Sequence, residues 1–298
     1  QMCIRDRLIG VINGFGQYYR FAAADVSTDA YRSRAISWVM AGGILAAFLG
    51  PGIATWTWEL FMIAPYAGSY VSLLFLYTLS IMLVIFLKMP RPSAEEKSGP
   101  ARPLTQIASQ PECLVAIFSA LVAYGVMNLI MVATPIEMKG CGFDLASSAS
   151  VIQWHIVAMF LPSFVTGHLI RFFGVTRIMI CGPVMLLMCV LVNLHGTTLL
   201  HFTGALVLLG IGWNFLFVGG TTLLTEVYWP AEKAKVQGLN DFLVFSTVAM
   251  TAVSSGFLHD KLGWVAINYA VLPIIGIAFC SVAWLEWRRR ISLSNEVV

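Results

Sequence analysis

Polar and aromatic side chains recur at spaced positions inside long apolar runs of this chain. Asn13, Gln17 and Arg20 share one run, Tyr124 and Asn128 a second, and Gln153, Trp154 and His155 a third. Trp213, Asn214 and Phe217 fall in another, and Asn240, Asp241 and Phe245 in the next. An amide both donates and accepts hydrogen bonds, and an indole offers a stacking face with one donor. Together these groups suit a partly aromatic, neutral or weakly charged small molecule. Each has a plainer use, because a polar side chain among apolar ones also bonds a neighbouring helix. Tyr18 and Tyr19 cannot both face one cavity, since adjacent helical residues point about 100° apart. Arg20 and Asp241 carry the formal charges deepest in such runs. Asp241 either takes up and releases a proton or pairs with a base across the molecule. Arg20 either serves the same site or extends its guanidinium toward water.

The elements that hold these residues follow from composition. The chain has 298 residues, 58% hydrophobic and 11% charged, with a net charge of +3, and its mean hydropathy is +0.81. Soluble domains carry roughly a quarter charged residues, so this chain has too little polar surface to face water. Its small net charge gives no reason to expect nucleic acid as a partner. A helix needs about 20 apolar residues to cross the hydrocarbon core. The sequence predicts nine such spans, near 8–26, 36–58, 66–87, 113–136, 149–170, 176–196, 200–223, 239–258 and 264–286. The runs are continuous rather than alternating, which predicts an all-α polytopic membrane protein and not a barrel.

Basic residues gather on one side of this arrangement. Arg20, Arg32 and Arg34, then Lys88, Arg91, Lys97 and Arg102, then Arg171 and Arg177, Lys233 and Lys235, and Arg288, Arg289 and Arg290 fall in alternate connections. Between spans on the other side stand only Lys139 and Lys261. The positive-inside rule places the basic side, and with it the C-terminus, in the cytoplasm. An inner-membrane, multi-pass protein is expected. The six cysteines form no CxxC pair and read as buried small residues, so neither a disulfide framework nor a metal site is expected. No cofactor is expected either.

DVSTDAYRSRAIS, 25–37, after the first span, is repeated as EVYWPAEKAKVQG, 226–238, after the seventh. Asp25 aligns with Glu226, Arg32 and Arg34 with Lys233 and Lys235, and Asn13 with Asn214. A parallel repeat of six helices is one of the ways transporters are built. Asp25 with Arg32 or Arg34, and Glu226 with Lys233 or Lys235, are expected to form loop ion pairs that latch this side. Arg171 and Arg177 join them as candidate gating residues. MPRPSAEEKSGPARPLTQIASQPE, 89–112, is rich in proline and mixed charge and reads as a linker between two bundles.

These features resemble the major facilitator superfamily. AGGILAAFLGPGIA, 41–54, is similar to that family's glycine-rich fifth-helix motif, and GHLIRFFGVTR, 167–177, to its short motif between the eighth and ninth helices, with Arg171 in the usual acidic position. GFLHDKLGW, 256–264, resembles the turn into the last helix. The resemblance implies that the nine spans correspond to helices four to twelve of twelve, and that the first seven residues are not family sequence. The expected organisation is then a leader 1–7, a three-helix part 8–88, the linker 89–112, a six-helix bundle 113–290 and a tail 291–298. It also implies a monomeric secondary transporter that moves a small organic solute by alternating access, with a proton as a coupling partner. YYRFAAAD, SRAISWVMAGGILAAFLGP and QGLNDFLVF are similar to a bacterial branch for riboflavin, which implies a flavin-type substrate. A sensor built on the same architecture is the alternative. An intramembrane enzyme is disfavoured, because no HExxH, GxSxG or DDxxD pattern occurs, and no GxxxxGK[ST] loop supports an ATPase.

Overall fold

Prolines and left-handed glycines mark most of the boundaries between helices in this chain. The computed structural model describes Gly16, residues 18–57, Leu60, 67–86 and 99–296. Asn13 and Gln17 lie outside the described residues, as do the leader and most of the first half of the linker. The helix α1 occupies 18–25, and α2 (Arg32–Ala41) and α3 (Gly43–Thr57) follow, joined by a turn at Gly42. Next come α4 (Ala67–Phe86) and a short α5 (Leu104–Ala108). α6 (Pro111–Gly140) has proline at its start, Glu112 in its first turn and Lys139 in its last, matching the helix dipole at both ends.

Asp144 caps α7 (Leu145–Phe160) by accepting from the Ser147 amide at 2.9 Å. Pro162 marks a break between α7 and α8 (Ser163–Phe173), yet together they form one apolar stretch, Leu145–Phe173, long enough to cross a membrane, as the sequence predicts for 149–170. Gly174, at φ 91°, makes the joint to α9 (Val175–His195). That positive φ is open to glycine at little cost. α10 (Leu199–Thr225) begins at Thr198, whose hydroxyl accepts from the His201 amide.

The run Lys233–Glu296 is continuous except at Gly263, with φ 79° and ψ 170°. The parts before and after it, 233–262 and 264–296, are α11 and α12. They run in opposite directions. α11 starts beside Glu232, and α12 comes back to bring Arg289 within 3.0 Å of Glu226 and Glu286 within 2.8 Å of Arg177. Seven described helical stretches are long and apolar enough to cross a membrane, counting α2 with α3, α7 with α8 and that run each as one. Dividing it at Gly263 gives two crossings, as the sequence predicts for 239–258 and 264–286.

Two apolar cores lie along the bundle. One joins α6, α7, α9, α10, α11 and α12 around Trp213, Phe217, Leu206 and Ile130. The other lies nearer the basic end and takes in Phe21 and Ile36 from the N-terminal helices, with Ile107 of α5. α5 therefore docks on the bundle, where the sequence reading had only linker. α4 instead leaves nearly all its side chains exposed, and Gly68 is its one buried residue.

Glycines set the contact between the N-terminal helices and the C-terminal bundle. A Cβ on Gly43 would lie 2.6 Å from the Phe160 ring. One on Gly167 would lie 2.7 Å from the Arg34 Cα and the Ser33 carbonyl oxygen. Ser33 donates to the Gly167 carbonyl at 3.0 Å, and Trp38 meets Phe164 edge-on at 5.2 Å. Thus α2 packs on α8 and α3 on α7. Among the described residues Gly50 has no neighbour within 4 Å of its Cβ position.

Candidate functional site

α1 and α11 meet through a buried ion pair. The Arg20 guanidinium donates through Nη2 to Asp241 Oδ1 at 2.6 Å, and the two side chains are 2% and 9% exposed. Residues 221 apart in sequence are tied here, one from each part of the molecule. Asn240 supports the carboxylate by donating to the same Oδ1 at 2.9 Å. Asp241 Oδ2 is buried with no hydrogen-bond partner among the described residues. Burial of a charge requires such pairing, because losing hydration costs several kcal/mol per ion.

Aromatic rings floor the pair. Arg20 lies 4.6 Å from the Phe21 ring centre and 4.3 Å from that of Phe217, within cation–π range. Phe217 stacks on Trp213 at 4.9 Å, and Tyr124 meets both edge-on, at 4.8 and 5.3 Å. Phe160 closes the other side of Trp213 at 5.7 Å. On the open side is a cavity of about 450 Å³ lined by Tyr18, Gly238, Asp241, Phe242, Phe245, Ser246 and Ala249. Its volume falls within the range typical of small-molecule sites.

The structure thus brings Arg20, Asp241, Asn240, Tyr124, Trp213 and Phe217 into one cluster and places other candidates elsewhere. Asn214 binds helices to one another: it donates to the Met159 carbonyl at 2.7 Å and Ser163 Oγ at 2.6 Å, and accepts from Thr166 at 2.7 Å. Asn128 donates to the Val248 carbonyl at 3.2 Å and to Thr251 at 3.0 Å, joining α6 to α11. His155 is fully buried with Nδ1 2.8 Å from the Leu206 carbonyl. Trp154, one residue earlier, points the other way and is 53% exposed, so it is not a wall of this site. Phe242 and Ser246, which sequence reasoning did not single out, lie on α11 in the row beside that of Asp241. Gly238, Phe242 and Ser246 follow one another at i, i+4, as do Asp241, Phe245 and Ala249, and those two adjacent rows were the available signal.

Most ion pairs at the basic end cross between elements, with Arg32–Asp29 and Arg290–Glu286 the local ones among the described residues. Asp25 pairs with Lys233 at 2.9 Å and Glu226 with Arg289 at 3.0 Å, in place of the local partners the sequence suggests. Arg32 bonds Asp29. Arg177 pairs with Glu286 at 2.8 Å, and Thr176 donates to the same carboxylate at 2.5 Å. Arg171 lines a crevice of about 350 Å³ with Arg32, Asp29 and Glu226. Arg34 lies over Tyr31, 5.8 Å from its ring. Arg102 is a residue that sequence reasoning left in the linker. It bonds Glu232 through its backbone amide at 2.6 Å and its Nε at 2.8 Å, reaches the Val227 carbonyl at 2.9 Å and covers the Trp229 ring. Lys235 donates to the Arg102 carbonyl. Glu232 sits in the turn before α11, outside the spans, and the Arg102 bonds hold its carboxyl down at about 2 despite burial. No group of three or more metal-binding side chains occurs among the described residues.

Known proteins agree with this architecture. The family model described as Major Facilitator Superfamily matches residues 116–297. The riboflavin transporter RfnT of Brucella anthropi is 40% identical over 279 residues, covering 92% of this chain and 70% of that protein. Two uncharacterized MFS-type transporters of Bacillus subtilis also match. YdeG is 28% identical over 288 residues, covering 91% of this chain and 66% of that protein. YddS is 30% identical over 276 residues, covering 86% and 63%. The chain spans about two thirds of the length of these relatives. With a matched model over more than half its length and an all-helical, membrane-crossing bundle, the chain belongs to the major facilitator superfamily.

Proposed function

We propose that this chain carries riboflavin or a closely similar flavin across the inner membrane as part of a secondary transporter working by alternating access. The observation that carries the reading is the Arg20–Asp241 pair, buried between α1 and α11 beside a cavity of about 450 Å³. A charge pair between two moving parts can be remade when a solute enters, so binding and rearrangement share one set of contacts. The 40% identity to a riboflavin transporter supports the flavin assignment. Aromatic walls at Tyr18, Phe242 and Phe245 are of the kind that stack on a planar ring.

In this reading the basic end faces the cytoplasm, and Asp25–Lys233 and Ser33–Gly167 close it in the present conformation. Asp241 carries the coupling proton, because among the described residues it is a carboxylate buried within the spans with one oxygen that has no hydrogen-bond partner. The test is growth of a riboflavin-auxotrophic bacterium expressing this chain, on low external riboflavin, together with uptake of the labelled vitamin. Expected is rescue that is lost in Arg20→Gln. No uptake above an empty-vector strain, with the chain present in the membrane, sinks the flavin assignment. Unchanged pH dependence of uptake in Asp241→Asn removes the proton from Asp241.

A further inference from the structure

We infer that Asp241 reads a ring N–H of the solute, so that the cavity selects planar heterocycles with an imide edge, a carbonyl–NH–carbonyl sequence. The inference rests on the reading of this cavity as the solute site and adds which atoms recognise the solute. Asp241 lines the cavity and is 7% exposed. Its Oδ1 is taken by Arg20 and Asn240, while Oδ2 has no donor among the described residues. A buried carboxylate oxygen without a hydrogen bond is costly, and a charge-assisted bond from a ligand N–H removes that cost. An ionised carboxylate only accepts, so the group it selects must be a donor.

The neighbours define what lies beside that donor. Tyr18 and Ser246 also line this cavity, and a hydroxyl can donate to a carbonyl oxygen beside the N–H. Phe242 and Phe245 supply the apolar faces that a flat ring needs. A carboxylate acceptor with hydroxyl-bearing neighbours complements an imide edge in kind. It does not complement a carboxylate solute, which would face Asp241 with like charge. Riboflavin carries such an edge on its ring system, as do the smaller imides lumichrome and uracil.

The experiment measures binding to the purified full chain in lipid nanodiscs. Flavin fluorescence reports the fluorescent probes, and isothermal titration reports uracil. The probes are riboflavin, its N3-methyl derivative, lumichrome and uracil. A methyl on N3 removes the donor and leaves the ring and ribityl chain intact. Expected is a loss of at least about tenfold in affinity on N3-methylation, the scale of one hydrogen bond to a charged group. In Asp241→Asn the amide oxygen keeps the Arg20 bond, so its NH₂ replaces Oδ2 and faces the ligand N–H. That variant should bind riboflavin weakly and lose or reverse the methyl discrimination. Equal binding of riboflavin and its N3-methyl form by the unsubstituted chain overturns the imide assignment while leaving flavin transport standing. Binding of lumichrome or uracil but not riboflavin upholds the imide and ends the flavin reading. Binding of none of the probes ends both. The comparison within the unsubstituted chain decides the matter even if the variant does not fold.

Discussion

Asp241 and Arg20 are each a liability without the other, and that asymmetry makes their role separable from folding. Removing one partner of a buried pair strands the other charge, at a cost of about 3–5 kcal/mol, whereas replacing both by apolar groups is often neutral. Asp241→Leu and Arg20→Leu should each lower the midpoint of thermal unfolding. The double variant should recover most of that loss yet carry no solute. Tryptophan fluorescence melts in detergent, set beside uptake, check this; a double variant that transports would show the pair to be packing alone. Asn214 should behave in the opposite way. Its three bonds tie α10 to α7 and α8, so Asn214→Leu leaves buried donors and acceptors empty at about 1–3 kcal/mol each. Its loss should appear first as stability in the same melts. The sequence made Asn214 a cavity candidate and Asp241 a coupling candidate on the same ground, since both are polar residues inside apolar runs. Their difference depends on what faces them from other helices, which local spacing does not encode. Trp154 and His155 were separable in part, because neighbours on a helix cannot share a face.

Helix contacts at the basic end depend on two glycines, and the consequences of filling them differ. At Gly167 the obstructing atoms are backbone, the Arg34 Cα and the Ser33 carbonyl, and backbone cannot step aside by changing rotamer. Gly167→Val should therefore push α2 off α8, with an overpacking cost of about 1–3 kcal/mol. At Gly43 the obstacle is the Phe160 side chain, which can turn, so Gly43→Ala should cost less. Gly50→Ala, where the structure leaves space, should be nearly silent. A cysteine at Ser37, buried beside Gly167, reports the separation through its reaction with a water-soluble maleimide. Labelling should be slow in the parent and fast with Gly167→Val. Equal rates would mean that α8 yields locally and the two parts stay closed.

The docking of α5 calls for a different test. Arg102 holds Glu232 at about 2, below its ordinary 4.5, so this clasp adds stability above that ordinary value. The contribution fades as pH falls through about 2. Amide exchange of residues 103–109 should stay slow from pH 7 down to pH 5 once corrected for intrinsic rates, and become fast at both in Arg102→Ala. Span positions were legible because apolar length is a local property. α5 was not, because its anchor is a salt bridge to a turn far along the chain.

Across the whole molecule the repeat makes a promise that the ion pairs keep only once. Asp25 aligns with Glu226 and Lys233 with Arg32, so a symmetric molecule pairing Asp25 with Lys233 would also pair Glu226 with Arg32. Instead Glu226 binds Arg289 and Arg32 binds Asp29, while both face one crevice of about 350 Å³. One equivalent bridge is made between the two parts and the other is not. The repeat was visible from charge signs alone, but not which of two equivalent bridges would form, because that choice belongs to the packing of α2 against α8. Closure of the basic end should therefore depend on Asp25 and Lys233 more than on Glu226 and Arg32. Their side chains are 27% and 26% exposed, so the pair is worth only about 0–1 kcal/mol. That is enough to shift an equilibrium between two conformations several-fold. Asp25→Lys, which sets two cations face to face, should speed maleimide labelling at Ser37→Cys, and adding Lys233→Asp should slow it again. Glu226→Gln should leave the rate near that of the parent. Raising salt from about 0.15 M to 1 M shortens the screening length from about 8 to 3 Å, so it should narrow the gap between parent and Asp25→Lys. If Asp25→Lys and Glu226→Gln open the basic end equally, the two bridges are interchangeable and closure follows the repeat. If the exchanged pair fails to restore slow labelling, Asp25 acts through some contact other than Lys233.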